Sequence, residues 1–255
     1  MAEYTLIPNN NKMSREDFLE TIILRRGHDY NNAFYVIKGT VRLYRNGVER
    51  ISEAEQELFK SADHALSHIE FINQALEDLT SKQLTYEEVD VFKTIKFMKE
   101  FLKCKNSNIE DTIKLTIDNI SILASQSLFY QQIYSFVSNA INSYNHTNLE
   151  RIVEISAREY LLDETEIDLL GNNKTKMIGG EPFVDISVKD YGIGIDEKRL
   201  SKIFEKGHST CGTKGIGLAL SKMSAELLCG YIHVESAPNE GSTFSLRFHQ
   251  NGGLV

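Results

Sequence analysis

Apolar positions recur at helical spacing along the first third of the chain and change to strict alternation further on. Ile23, Tyr30, Phe34, Ile37, Val41 and Tyr44 step by seven and then alternately by four and three residues. Leu58, Ala62, Ala65, Ile69, Ile72, Leu76 and Leu79 do the same without a gap. That spacing makes a narrow apolar seam of the bundle type. Asn46-Gly47 interrupts it, and Ser52-Glu53-Ala54-Glu55 has the form of a capping box that restarts it. The pattern predicts an antiparallel helical hairpin. One hairpin hides its seams poorly, so two copies packed as a four-helix bundle, a homodimer, are expected.

After Thr80-Ser81 helix and strand signals mix. Residues 91–103 and 127–144 read as helices, the second with Leu128, Ile133, Phe136, Val137, Ala140 and Ile141 inward. Strands are expected at 113–117, 152–156, 183–188, 231–236 and 243–248, and residues 161–181 as an exposed insertion. The fold class is α+β: the hairpin first, then a sheet with helices on one side. The expected organisation is a polar segment at 1–13, a dimerising hairpin at 14–80 and a second domain at 81–255.

Composition narrows the function classes. The chain of 255 residues has a hydrophobic content of 41% and a charged content of 25%, as a soluble globular protein does. A net charge of −8 argues against general nucleic-acid or anionic-membrane binding, because phosphate neutralisation needs clustered cations. No apolar run reaches the length of a membrane span, and the first residues lack a signal-peptide core. Cys104, Cys211 and Cys229 show no metal-site spacing and fit free thiols in a reducing, cytoplasmic setting.

Candidate chemistry falls into two groups. His28 stands beside the seam position Tyr30 and is expected to face water, with Asp29 adjoining it and Asn32 one turn on. A carboxylate next to an imidazole can hold one ring proton and leave the other nitrogen nucleophilic. Taken alone, the segment fits an ordinary solvent-facing helix better than a catalytic one. His64 and His68 lie off the second seam and are expected to be such ordinary residues.

The second group describes a nucleotide site. Asp190-Tyr191-Gly192-Ile193-Gly194 follows a strand, setting a carboxylate beside backbone that a flat ligand can approach closely. Gly212-Thr213-Lys214-Gly215-Ile216-Gly217-Leu218 opens a helical pattern whose first amide N–H groups can meet phosphate oxygens. Asn139 and Asn142 are three apart, so both amides can point to one side as hard donors for Mg²⁺ held jointly with a triphosphate. The segment between the glycine pairs, with Phe204, Lys206 and Lys214, reads as a lid over phosphates.

Together these residues resemble a two-component sensor histidine kinase with an ATP-binding domain of the GHKL superfamily, over nearly the whole chain. Asn139-Ala140 is similar to the family's N box, and Asp190-x-Gly192-x-Gly194 to its G1 box. Ile203-Phe204 is similar to the F box, Gly215-x-Gly217-Leu218 to the G2 box, and His28-Asp29-x-x-Asn32 to the phosphoacceptor box. The resemblance implies ATP with its adenine on Asp190, Mg²⁺ on Asn139 and phosphates on Gly215 and Gly217. It implies passage of the γ-phosphoryl group to His28 and onward to an aspartate on a response-regulator receiver domain. Asp29 would be the acid–base partner, and Asn32 would support dephosphorylation of the regulator. Ser135 replaces a family asparagine and Asn142 a common basic residue, so slow turnover is expected. The alternative is a non-catalytic phosphorelay adaptor, which degenerate glycine boxes would favour; these boxes are intact. Since no sensor domain precedes His28, input is expected from another protein or from the rest of a longer chain.

Overall fold

The computed structural model describes residues 1–6, 53–80, 84–105, 112–144, 150–161, 183–205, 217–228 and 230–250. The first predicted helix of the hairpin, with His28, Asp29 and Asn32, lies outside them.

Strands β1 (Ala2–Leu6), β3 (Ile113–Ile117), β5 (Val153–Tyr160), β6 (Phe183–Asp190), β7 (Gly230–Ala237) and β8 (Gly241–His249) form one six-stranded sheet. Its order is β1-β7-β8-β6-β5-β3, with β3 parallel to β5 and every other neighbour antiparallel. A parallel pair needs a crossover. Here the crossover holds strand β4 (Ser121–Ala124), paired with β2 (Glu87–Asp90), and then a long helix. The helices are α1 (Glu53–Thr80), α2 (Val91–Lys105), α3 (Gln126–Asn142), α4 (Glu197–Leu200) and α5 (Gly217–Leu227).

Alternation sets the two faces of the sheet. Val184, Ile186 and Val188 of β6, and Phe244, Leu246 and Phe248 of β8, are buried in one core with helices α2 and α3. Asp190 continues the inward parity of β6, so the strand itself aims this carboxylate at the helices. On the other face Asp185 takes Arg158 at 3.3 Å and Arg247 at 3.4 Å, beside a Ser187–Ser245 hydroxyl pair at 2.9 Å.

Helix α3 is buried along nearly its whole length. Ser125 caps it, its hydroxyl accepting from the Leu128 N–H at 3.3 Å. Phe136 meets Phe244 at 5.4 Å between ring centroids and Phe129 meets Phe248 at 6.3 Å. Each such ring pair adds about 0.5–1.5 kcal/mol beyond area burial.

Two readings of the sequence are corrected. His68, expected to face solvent, has no exposed surface. Its ring stacks on Phe101 at 3.9 Å, and its Nδ1 shares a 2.8 Å hydrogen bond with the Tyr130 hydroxyl. The physical reason is that α1 packs on α2 and α3 of its own chain, presenting Ala65, His68 and Ala75 to an aromatic surface, while Ile72 and Leu76 are buried in a separate small cluster. The buried arc keeps Ala65, Ile72 and Leu76 of the predicted seam and widens to take in His68 and Ala75. Secondly, the opening residues, read as a polar segment, enter the sheet as β1.

The C-terminal end of α1 is fastened by a carboxylate. Asp78 accepts from the Ser125 hydroxyl at 2.6 Å and the Ser127 hydroxyl at 2.5 Å, both in the first turn region of α3, and from the Gln74 amide at 3.2 Å. Replacing Asp78 by Ala removes the shared acceptor of two buried hydroxyls, and their mutual 2.9 Å bond can then satisfy the donor of one alone, for a loss of about 1–3 kcal/mol. Urea unfolding should show that loss, whereas Leu66→Ala, at a side chain 47% exposed, should stay within about 0.5 kcal/mol of the parent.

Candidate functional site

The site gathers where α3 ends against the C-terminal end of β6. Asp190 is 3% exposed. Its Oδ1 accepts from the Ser143 hydroxyl at 2.8 Å and from the Gly192 N–H at 2.9 Å. Ser143 follows the last residue of α3, and its N–H closes the helix on the Asn139 carbonyl at 2.9 Å. Tyr144 comes next. Its hydroxyl receives the Tyr191 N–H at 2.7 Å and donates to the Ile152 carbonyl at 2.6 Å. The helix end thus clamps both the carboxylate and the loop that follows it.

The glycines of that loop have mechanical roles. A Cβ at Gly192 would run into Ser143 Oγ, so only glycine lets the serine reach Asp190. Gly194 has φ +64° and would drive a Cβ into the Ala237 carbonyl. Beyond it the Ile195 N–H donates to Ser236 Oγ at 2.8 Å, and that hydroxyl donates to the Gly241 carbonyl at 2.9 Å. The loop is pinned between the α3 end and the β7–β8 turn. Ile193, 38% exposed, offers an apolar surface to a flat ligand at its mouth.

Burial raises the Asp190 pKa above the ordinary aspartate value of 3.8, and the bonds from Gly192, Ser143 and Ser242 offset part of the rise. Burial likewise raises the Tyr144 phenol, against the N–H bonds from Tyr191 and Ile152. A buried carboxylate is a strong acceptor for a ligand N–H.

Asn139 stands one turn before Ser143, hence on the same side of α3. Its Nδ2 is buried without a hydrogen-bond partner in the protein. An amide edge of this kind fits a ligand: turned one way it offers an N–H to a phosphate oxygen, turned the other an oxygen to a cation. Among the described residues no cluster of His, Cys, Asp or Glu could hold a metal by itself, so a cation here would share ligand oxygens. Asn142 sits in the last turn of α3, partly exposed. Ser135, buried at 3%, receives a 3.2 Å hydrogen bond from Ser221 and so ties α3 to α5. Gly217 starts α5 and Leu218 packs on the core from its first turn. Phe204 is buried near β1. Lys206, Lys214 and Gly215 lie outside the described residues. Sequence reasoning missed Ser143, Tyr144 and Ser236. The signal for the first two was a polar–aromatic pair directly after the Asn139 helix.

A cavity of about 1020 Å³ opens elsewhere, between α1, β2 and α2. Glu70, Asp78, Glu87, Glu88 and Asp90 line it. That many carboxylates, against the one lysine Lys93 in the lining, disfavour an anionic ligand there.

The family model of histidine kinase-, DNA gyrase B- and HSP90-like ATPases matches residues 124–252, just over half of the chain and the span containing Asn139, Asp190 and Gly217. The chain belongs to this ATPase family. It is 28% identical to the sensor protein BceS of Halalkalibacterium halodurans over 206 residues, covering 74% of this chain and 60% of that protein. It is 30% identical to the circadian input-output histidine kinase CikA of Synechocystis over 149 residues, 50% of this chain and 20% of that protein. It therefore spans less than two thirds of these relatives. The crystal structure of full-length ShkA in complex with AMPPNP covers 92% of this chain and 46% of its own, at 19% identity and a TM-score of 0.51. The resemblance to sensor histidine kinases thus holds, and the second half of the chain is an ATP-binding domain. Among the described residues no helix is long and apolar enough to cross a membrane.

The raised Asp190 pKa has a sign that can be measured. An acid whose pKa is higher folded than unfolded favours folding at low pH and loses that contribution as pH rises through its folded value. Asp190→Asn buries no charge. Its Tm should therefore gain on that of the parent as pH climbs through the mildly acidic range, while affinity for ATP falls at least about ten-fold. Parallel pH profiles of Tm would refute this account of the carboxylate.

Proposed function

We propose that the chain is an ATP-dependent protein-histidine kinase that phosphorylates itself on His28 and passes the phosphoryl group to an aspartate of a response-regulator receiver domain. The observation that carries the reading is the buried Asp190 carboxylate, clamped by Ser143 and Gly192, on the side of α3 that also holds the buried, unpaired amide nitrogen of Asn139. It stands in a chain that also has His28-Asp29-x-x-Asn32 upstream and sensor histidine kinases as relatives.

In this reading Asp190 accepts the adenine amino group, and Gly192 and Gly194 let the ring lie close to backbone. Asn139 would hold Mg²⁺ together with phosphate oxygens, where the cation neutralises the triphosphate; Asn142 lies one turn on. Gly215, Gly217 and Leu218 bring the start of α5 to the phosphates, with Lys206 and Lys214 adding positive charge and Phe204 anchoring the segment before them. One His28 ring nitrogen attacks the γ-phosphorus. The bond from that phosphorus to the bridging oxygen breaks, and ADP leaves with the electron pair. Asp29 takes the proton released from the imidazole. Catalysis here is chiefly positioning of His28 and γ-phosphate, together with charge stabilisation. Asn32 orients the water that later dephosphorylates the regulator.

The hairpin at 14–80 is assigned to dimerisation and phosphotransfer, the segment at 81–255 to ATP binding, and the homodimer to hairpin pairing. A non-catalytic adaptor would lack nucleotide binding, so calorimetry with ATP and Mg²⁺ separates the two readings.

Incubation with γ-labelled ATP and Mg²⁺ should give an acid-labile, alkali-stable phosphoprotein. His28→Gln should abolish the label while leaving nucleotide affinity within about two-fold of the parent, since this reading gives the adenine to Asp190 and only the phosphoryl group to His28. Label persisting in that variant removes His28 from the acceptor role.

A further inference from the structure

Strand β1 adds a sixth strand to the edge of the sheet, beside β7, whose Ser236 holds the loop that follows Asp190. It pairs antiparallel with β7 in the register Ala2↔Ser236, Tyr4↔Val234 and Leu6↔Ile232. Two contacts link it to the site. Along the backbone, Ala2 lies opposite Ser236, the residue whose hydroxyl holds the Ile195 N–H at 2.8 Å. Through side chains, the Tyr4 ring stacks on Phe204 at 6.0 Å and 23°. Residues 195–205 follow the Asp190 loop at Gly194, cap helix α4 on Asp196 and include Phe204. They are therefore held at two places, Ile195 and Phe204, by groups that β1 touches.

The parity of β1 separates two functions. Tyr4 shares the inward face with Val234 and packs on the core with Ala2. Thr5 faces the other side, where its hydroxyl and His233 Nδ1 make a 2.9 Å hydrogen bond. One side of the strand docks it, and the other reaches Phe204. Burial and the nearby Glu205 carboxylate raise the Tyr4 phenol above its ordinary value of 10.0, as suits a ring held against the core.

We propose that β1 is a buttress for the nucleotide pocket, and that Tyr4 is a positioning residue acting through Phe204 on residues 195–205. It fixes the outer wall of the Asp190 site, so that nucleotide affinity depends on a strand lying in sequence just ahead of the His28 segment. Displacing β1 from β7 loosens that wall. The inference rests on the reading of the Asp190 pocket as the ATP site.

Two measurements on the full chain test it. Hydrogen–deuterium exchange needs no nucleotide: Tyr4→Ala should speed amide exchange across residues 195–205. Calorimetry with a non-hydrolysable ATP analogue and Mg²⁺ should show Tyr4→Ala weakening binding by about three- to ten-fold, the span one aromatic pair supplies. Tyr4→Phe, which keeps the stacked ring, should restore both readouts. Thr5→Val, which removes only the His233 bond, should lower Tm and leave affinity within about two-fold. Unchanged exchange at 195–205 in Tyr4→Ala, or equal weakening by Tyr4→Ala and Thr5→Val, overturns the role of Tyr4. A parent protein that binds no nucleotide, with exchange still raised by Tyr4→Ala, sinks the ATP-site reading and keeps the mechanical link.

Discussion

Helix α3 has almost no free surface, and the pocket depends on that. Ser127 through Val137 and Ala140 are buried. One side carries Phe129 and Phe136 onto β8, and the other carries Tyr130 and Tyr134 onto the His68 ring of α1. Burying one such side chain is worth about 1.5–3 kcal/mol, and a whole domain is stable by only about 5–15 kcal/mol. A roll of α3 that surrendered even a few of these contacts would unfold the domain. The last turn therefore has one orientation available, and Asn139, Ser143 and Tyr144 inherit it.

That rigidity resolves a conflict at Asp190. Removing a carboxylate from water is costly, and the upward displacement of its pKa records the cost. A loop free to move would relieve it by exposing the group. Here Ser143, Tyr144 and Ser236 hold the loop at three points, so the carboxylate stays buried and retains acceptor capacity for a ligand. Preorganisation of this kind puts the energetic burden into folding and leaves less to be lost at binding.

What the sequence made legible was local. Asp190, Gly192 and Gly194 announce a strand end followed by close backbone, and Asn139 stands out as an amide near the apolar positions Val137, Ala140 and Ile141. Alternation at 183–188 and 243–248 marked strands that run two or three residues longer, to Asp190 and from Gly241. Contacts far apart in sequence were not legible. His68 is buried because Tyr130, 62 residues on, supplies a hydroxyl, and Asp78 because Ser125, 47 residues on, does the same. Strands β2 and β4 are four residues each, too short for a periodic signal. In β1 the alternation of Ala2 and Tyr4 with Glu3 and Thr5 was present but spanned only five residues. Its meaning lay in the free edge of β7, which no local pattern displays.

The position of α1 bears on how a hairpin dimer could coexist with this packing. Its buried arc runs through Ala65, His68, Ile72 and Ala75, whereas Phe59 and Leu66 lie on an adjoining edge, 42% and 47% exposed, with Ala62 and Ile69 half-buried between. The predicted seam, running through Ala62, Ala65, Ile69, Ile72, Leu76 and Leu79, straddles the two, with Ala65, Ile72 and Leu76 on the buried side. A helix with one apolar edge against its own ATP-binding domain and a second still open can serve both layers at once. Isolated exposed apolar side chains need no explanation, but a stripe at helical spacing beside an occupied face does. The homodimer proposed above would be built on that open edge, and Asp78, fastening the far end of the same helix to α3, would make α1 the rigid member through which the paired hairpins and the nucleotide pocket are joined.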